Sequence, residues 1–315
     1  MSITNFDELI RLVTGYSPVP VSVAGGADSM VVASLKLGHD LGFIGRCFLT
    51  GPEDDVRRII EESGDDNSLY EVLPASSDSE MSKQAVRAVR ENGAEILVKG
   101  CVKSEAYIRA ILDSETGIKA SSVLSNLSLF QMPSLSKFLA ITDNAILINP
   151  DLREKAAVIK NTAPLWNALG IHPVRVAALA AVETVNPAMQ ATVDAAALAV
   201  MSSRGQLPGF IVEGPLGYDA AICTECAATK KLEHSEVCGR PDMILAPNLE
   251  TANSLGKSYK FHGGAVWGGL VFGATVPAVL NSRSDNDVNR LNSMAMARAI
   301  AEGRVQRETS YRVSP

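Results

Sequence analysis

Five apolar runs in this 315-residue chain end in residues able to bind or move charge. Val98 runs into Lys99-Gly100, Val182 into Glu183-Thr184, and Val212 into Glu213-Gly214-Pro215. Ala246 leads to Pro247-Asn248, and Leu280 to Asn281-Ser282-Arg283. Lysine and arginine offer charge to an anion, and a carboxylate offers a proton acceptor. In open parallel sheets ligands bind beyond the carboxyl ends of strands. Turn chemistry and helix capping also place small and polar residues there, but five such endings with Lys, Glu and Arg among them favour a site. Standard phosphate motifs are missing. No G-x-G-x-x-G follows a strand, and Gly256-Lys257-Ser258 lacks the first glycine of a P-loop, which falls at Thr251. Helix N-termini and backbone amides, as at 282–285, are the alternative phosphate cradle.

Other reactive residues are read more plainly. Cys223-x-x-Cys226 with His234 and Cys238 has four soft ligands of the kind zinc takes, yet both cysteines of the pair fall inside an expected helix, so no metal site is assigned. His39, His172 and His262 have no partner at ligand or triad spacing, and no nucleophile elbow supports a Ser-His-Asp triad. Cys101, after Lys99-Gly100, reads as a small core thiol.

These endings need strands and helices to carry them. Short apolar runs predict strands at 21–24, 47–49, 70–73, 96–98, 127–130 and 138–141. Asp28 or Ser29 caps a helix with the stripe Met30, Ala33, Leu37 and Leu41. Thr50 with Glu53 resembles a capping box with Pro52 in the first turn, and helices follow near 79–92 and 104–113. In the second half, Asn149-Pro150-Asp151 starts a long helix to about Leu169, kinked at Pro164 and stopped by Gly170. Strands are expected near 174–182, 209–212, 242–246 and 276–281, with helices near 188–203, 217–231, 249–260 and 286–302. This alternation implies an α/β protein with mainly parallel sheets covered on both faces. The tail from 303 to 315 is expected to fray.

Composition narrows the function classes. About two domains fit this length, and such a chain buries about three quarters of its unfolded surface without staples. The net charge of −6 argues against nucleic acid as a partner. The uncharged stretch 263–280 holds five glycines and Pro277, so it reads as a buried strand–turn–strand rather than a membrane span. Residues 1–13 carry Asp7 and Glu8 and lack the basic flank and apolar core of a signal peptide. Five cysteines without framework spacing fit a reducing cytoplasm.

At these strand ends the chain resembles the phosphate acetyl- and butyryltransferase family, over about residues 15 to 302. The resemblance rests on Ala181-Val182-Glu183-Thr184-Val185-Asn186-Pro187, Thr192-Val193-Asp194, Arg204-Gly205-Gln206, Val212-Glu213-Gly214-Pro215-Leu216-Gly217-Tyr218-Asp219, Pro247-Asn248-Leu249-Glu250 with Asn253, and Ser282-Arg283. Ile141-Thr142-Asp143-Asn144-Ala145 and Asn149-Pro150-Asp151-Leu152 add to it. Length and Leu97-Val98-Lys99-Gly100 place it closer to the butyryltransferase-like branch. The resemblance implies two α/β/α domains with an interdomain cleft, as in isocitrate/isopropylmalate dehydrogenases. Residues 1–141 plus 286–315 would form the first, and 142–285 the second, carrying much of the acyl/CoA site. It implies reversible acyl transfer between coenzyme A, a substrate rather than a cofactor, and orthophosphate. A homodimer or an assembly of dimers is the implied form.

The resemblance also implies roles. Arg283 matches the phosphate clamp, where a guanidinium grips two oxygens, and Ser282 matches a transition-state donor. Arg109 lies near the family's other phosphate-binding arginine, and Lys99, beside Gly100, adds charge. The family carboxylate seven residues past the serine is replaced by Asn289. Asp285 and Asp287 are therefore the candidate bases, although Asp285 also suits a helix cap. Glu183 and Asn248 are assigned to substrate binding; Asn248 stands where the family often has Asp. Asp194, Asn186, Glu213 and Asp219 are read as ordering the site. The competing readings are a non-catalytic acyl-CoA-binding regulatory module, a dehydrogenase of the same fold, and an acyltransferase working on acyl-carrier protein.

Overall fold

A computed structural model describes residues 2–282 and 285–312, with side chains to Arg304. The chain opens with α1 (Phe6–Val13), β1 (Val19–Ala24), α2 (Ser29–Asp40), β2 (Ile44–Gly51), α3 (Glu53–Ser63), β3 (Tyr70–Pro74), α4 (Asp78–Glu91), β4 (Ile96–Lys99) and α5 (Ser104–Leu112). It continues through β5 (Ser125–Gln131), β6 (Leu139–Thr142), α6 (Leu152–Asn161), α7 (Ala163–Leu169), β7 (Val174–Leu179), α8 (Gln190–Ser203), β8 (Phe210–Leu216), α9 (Tyr218–Ile222), α10 (Thr224–Thr229), β9 (Met243–Leu245) and α11 (Leu249–Phe261). It ends with β10 (Val266–Phe272), β11 (Ala278–Val279) and α12 (Asp287–Arg312).

Two compact units result. Phe6–Ala120 with 268–312 form the first, and Ser121–Trp267 with 2–5 form the second. The changes of unit fall at 120/121 and 267/268, where the sequence reading put them at 141/142 and 285/286. Strand pairing is the physical reason on the return side: β11 lies parallel to β4, with Ala278 beside Leu97 and Val279 beside Val98.

The first unit's strands run in the order β3-β2-β1-β4-β11-β10. They are parallel except for β10 and β11, the expected strand–turn–strand, which pair antiparallel. The second unit's strands run β5-β6-β9-β7-β8, parallel except β5 with β6. The architecture is therefore mixed α/β with mostly parallel strands, and parallel strands bring their carboxyl ends to one side. In the second unit Phe130, Ile141, Ala177, Leu216, Ile244 and Trp267 belong to one buried apolar cluster.

Several local expectations are corrected. The buried face of α2 is Val31, Val32, Leu35 and Gly38, whereas Met30 and Leu41 lie on the exposed side. Gly38 sets that face, since a Cβ there would meet Ile44 at 2.4 Å. Thr50 does not cap α3, which starts after Pro52 without a side-chain cap. The Thr50 hydroxyl is buried, accepts from Gly25 N at 3.1 Å and reaches Val23 O and Met81 O. The long helix after Asp151 divides at Thr162, because Pro164 has no N–H to continue the ladder. Strand β7 stops at Leu179, so Glu183 sits in a loop. The expected helix over 217–231 breaks at Cys223, whose backbone is extended. Helix α12 runs on to Arg312 instead of fraying at 303, in keeping with the helix-forming Arg, Gln and Glu of that segment.

Candidate functional site

In the first unit the loops after β1, β2 and β4 are stitched together by backbone. Gly100 N donates to Ala24 O (2.9 Å), Cys101 N to Gly25 O (3.0 Å), and Gly26 N to Thr50 O (2.7 Å). A Cβ at Gly100 would stand 2.0 Å from Gly25 O, so only glycine permits this approach. Lys99 is 3% exposed, and its ammonium donates to Gly100 O at 3.2 Å. The β4–β11 register carries Lys99 and Gly100 out of the sheet alongside Leu280 and Asn281. Sequence and structure thus bring Lys99, Gly100 and Ser282 to neighbouring strand ends.

A buried network shapes the turn that follows. Asp285 is 6% exposed. Its carboxylate accepts from Ser282 N at 2.6 Å and from Asn281 Nδ2 at 3.4 Å. Arg290, on α12, donates Nη2 to Ser282 O (3.2 Å) and Nε to Asp285 O (3.3 Å), and stands 3.9 Å from the Asp28 carboxylate. Arg290 Nη1 and Asn281 Oδ1 are buried without a hydrogen-bond partner among the described residues. Asp285 is therefore a turn-forming group, and Asn286 caps α12 by accepting from Asn289 N at 2.9 Å. Asp287 is partly exposed at the first helical position, accepting from Val288 N. Arg283, the expected phosphate clamp, lies outside the described residues. Arg109 is on the exposed side of α5, paired with Glu105 one turn away.

The second unit holds Glu183 and Asn248. Glu183 accepts from Lys230 Nζ at 2.7 Å and Gly217 N at 3.1 Å, and Lys230 also reaches Asp219 at 2.8 Å. The Lys230 ammonium, helped by the Gly217 N–H, holds the Glu183 carboxyl below the usual range; Lys230 does the same to Asp219. The two carboxylates in turn push Lys230 up. A Cβ at Gly217 would meet Glu183 Oε1 at 2.5 Å, so glycine there is what lets the carboxylate reach the backbone. Asn248 caps α11, accepting from Thr251 N at 3.0 Å.

Asn248 also lines a cavity of about 790 Å³ with Asn149, Asp151, Arg153, Lys155 and Asp194, a size in the range of small-molecule sites. Its polar wall is a buried ion pair, Lys155 Nζ to Asp194 Oδ2 at 2.6 Å, with Gln190 donating to the other carboxylate oxygen at 2.8 Å. Asp143 accepts from the backbone N–H groups of Asn126, Ala145, Ile146 and Leu147. Burial nevertheless pushes its carboxyl up. Asp143 thus shapes the segment entering Asn149-Pro150.

Sequence reasoning missed Arg290, Lys230 and Lys155, and gave Asp143 no role. A charged residue on an expected core face is the one signal that marks Lys155 and Arg290. It also missed a partner for His39: Asp65 lies 2.5 Å from Nδ1, Tyr70 OH donates to Asp65 at 2.6 Å, and Cys47 Sγ is 3.5 Å from Nε2. Asp65 lies 26 residues from His39 in the sequence. The Cys47 thiol is fully buried and pushed up by that burial, which suits packing rather than attack. The Cys101 thiol is also raised by burial. Among the described residues, no group of three or more His, Cys, Asp or Glu side chains is arranged to hold a metal ion, and no helix is long and apolar enough to cross a membrane.

Residues 54–298 match the family model described as Phosphate acetyl/butaryl transferase. A protein named "Probable phosphate butyryltransferase" from Bacillus subtilis (strain 168) is 37% identical over 295 residues, covering 94% of this chain and 97% of that protein. The crystal structure of a branched-chain phosphotransacylase from Enterococcus faecalis V583 superposes with a TM-score of 0.77 at 26% identity, covering 90% of this chain and 99% of that one. A 4-hydroxythreonine-4-phosphate dehydrogenase from Klebsiella pneumoniae has a TM-score of 0.53 at 14% identity, over 90% of this chain and all of that one, a likeness of fold alone.

Proposed function

The chain belongs to the phosphate acetyl/butyryl transferase family, and on that premise we propose that it moves a short-chain acyl group reversibly between coenzyme A and orthophosphate. The observation that carries this reading is the family match spanning both units, with Lys99-Gly100 and Asn281-Ser282 leaving the sheet side by side. Both directions pass through a tetrahedral oxyanion next to a polyanion, so the site needs cations and hydrogen-bond donors already in place. Lys99 supplies a buried charge at the strand ends. Ser282 is the donor to the oxyanion, and Arg283 grips phosphate oxygens in pairs. Asp285 and Arg290 hold the backbone of Ser282. Asp287, partly exposed where Asn289 replaces the family carboxylate, is the proton acceptor for the thiol. Transfer is direct within a ternary complex, which asks the enzyme for alignment rather than a covalent intermediate. Glu183, Asn248 and Arg109 keep their place as substrate-binding residues in this reading. The two α/β units are read as an isocitrate/isopropylmalate dehydrogenase-like pair, supported by the dehydrogenase likeness.

Incubation with acetyl-, propionyl-, butyryl- and branched acyl-CoA should release thiol only when phosphate or arsenate is present. If none of these substrates gives thiol above the blank, the reading fails. Tight acyl-CoA binding by calorimetry without turnover would establish the regulatory-module reading in its place.

Self-association follows from α8. The helix is apolar on nearly every side, yet only Thr192, Asp194, Ala195 and Leu198 are buried. Val200 is 52% exposed, and Val185, in the preceding loop, is 55% exposed. A helix apolar all round belongs in an interior, so a homodimer or an assembly of dimers covers this face. Light scattering should return a multiple of 33.4 kDa, and Val200→Glu should lower it. A parent chain that stays monomeric at micromolar concentration would exclude this arrangement.

A further inference from the structure

The Cys223-x-x-Cys226 motif takes no role in the acyl-transfer reading, and among the described residues it belongs to no group of three or more His, Cys, Asp or Glu arranged to hold a metal ion. We infer that Cys223 and Cys226 are a redox-modification site, closing reversibly into an intramolecular disulfide at the junction of α9 and α10. The Cys223 sulfur already lies over the first turn of α10, where Cys223 Sγ accepts from Cys226 N at 3.3 Å. Both residues are only partly buried, whereas Cys47 and Cys238 are buried. Positions three apart on a helical turn hold their Cβ atoms about 5–6 Å apart, and a disulfide needs about 3.5–4.5 Å. Cys223 lies outside the helix with an extended backbone (φ −122°, ψ 118°). It can turn toward Cys226 without breaking the hydrogen-bond ladder of α10.

The facing charges set the pace. Cys223 donates its S–H to the Glu225 carboxylate at 3.2 Å, and Asp219 and Lys230 lie around Cys226. The neighbouring Cys223 side chain pushes the Cys226 thiol up, so exchange is slow and best followed at mildly alkaline pH. The oxidant is a low-molecular-weight disulfide. One cysteine thiolate attacks it, forms a mixed disulfide and expels one small thiolate. The other cysteine loses its proton to solvent and displaces the second. Two protein thiols are thereby oxidised, and one small disulfide is reduced to two thiols. Closure removes the Cys223–Glu225 hydrogen bond and stiffens the turn that leads to Lys230, whose N–H donates to Cys226 O at 3.2 Å. The inference is independent of the acyl-transfer reading.

The test is incubation of the full chain with excess oxidised glutathione, followed by denaturation, alkylation and peptide mass analysis. Alkylatable thiols should fall from five to three. The tryptic peptide 205–230, which contains both cysteines and no other, should lose about 2 Da relative to its reduced form, because two hydrogens leave. Dithiothreitol should restore all five. In Cys223→Ser or Cys226→Ser, the remaining cysteine of the pair should keep a glutathione adduct, since no neighbour is left to displace it. Five thiols throughout, a stable glutathione adduct on the parent peptide, or a bond from either cysteine to Cys238 would each overturn the inference.

Discussion

Arg290→Met is expected to destabilise the protein by about 3–5 kcal/mol, the usual cost of removing one partner from a buried charged network. Acyl transfer should fall with it. The guanidinium is 4% exposed and ties together Ser282 O, Asp285 O and the region of Asp28. Methionine fills similar space but leaves two carbonyls without that donor and leaves Asp28 and Asp285 without the nearby cation. Arg290→Lys keeps the charge and loses the fork, because an ammonium cannot reach both carbonyls in one plane. It should recover most of the stability while kcat stays depressed and the KM for acyl-CoA barely moves. That split separates setting the 282–285 turn from merely filling the interior. Urea unfolding gives the first quantity and steady-state kinetics the second. Should Arg290→Met match the parent in both, the turn does not depend on this residue.

Arg283→Ala is expected to reduce kcat/KM for phosphate by about 10²–10³-fold, or about 2.7–4 kcal/mol of transition-state stabilisation. Folding should be unaffected. The residue follows Ser282 directly in the sequence, and Ser282 is held by Asp285 and Arg290. A charge-assisted, two-pronged contact to phosphate is strong in a site that excludes water, and alanine removes all of it. Arg283→Lys should restore only part of the rate, for want of paired donors. Saturation curves in phosphate are the measurement. An unchanged KM and kcat would take Arg283 out of the site and shift the phosphate contact to Lys99.

Much of the scaffold is legible locally because burial leaves a periodic trace. The runs that become β1, β2, β4 and β5 are short and apolar, and Asp28 does cap α2 as its type suggests. Local reading fails where a side chain turns inward against its habit. Thr50 looks like a cap and serves the β1 turn, and Asp285 looks like a cap and grips Ser282 N. The stripe on α2 is misassigned because Gly38, the residue that lets Ile44 close in, carries no hydropathy signal of its own.

By itself the sequence determined the alternation of strands and helices, the polar residues at the strand ends and the motifs that mark the family. Only tertiary structure decided which of those polar groups meet. Lys230 reaches Glu183 from 47 residues away, Lys155 reaches Asp194 from 39, and Arg290 folds back on Ser282 from the next helix. Arg109, by contrast, meets Glu105 one turn away on its own helix. The physical reason is one of range. Apolar period and capping act over a turn or a few residues, so the chain displays them directly. The pairing of buried charges is chosen by how whole elements pack, where low dielectric makes each unmatched group costly.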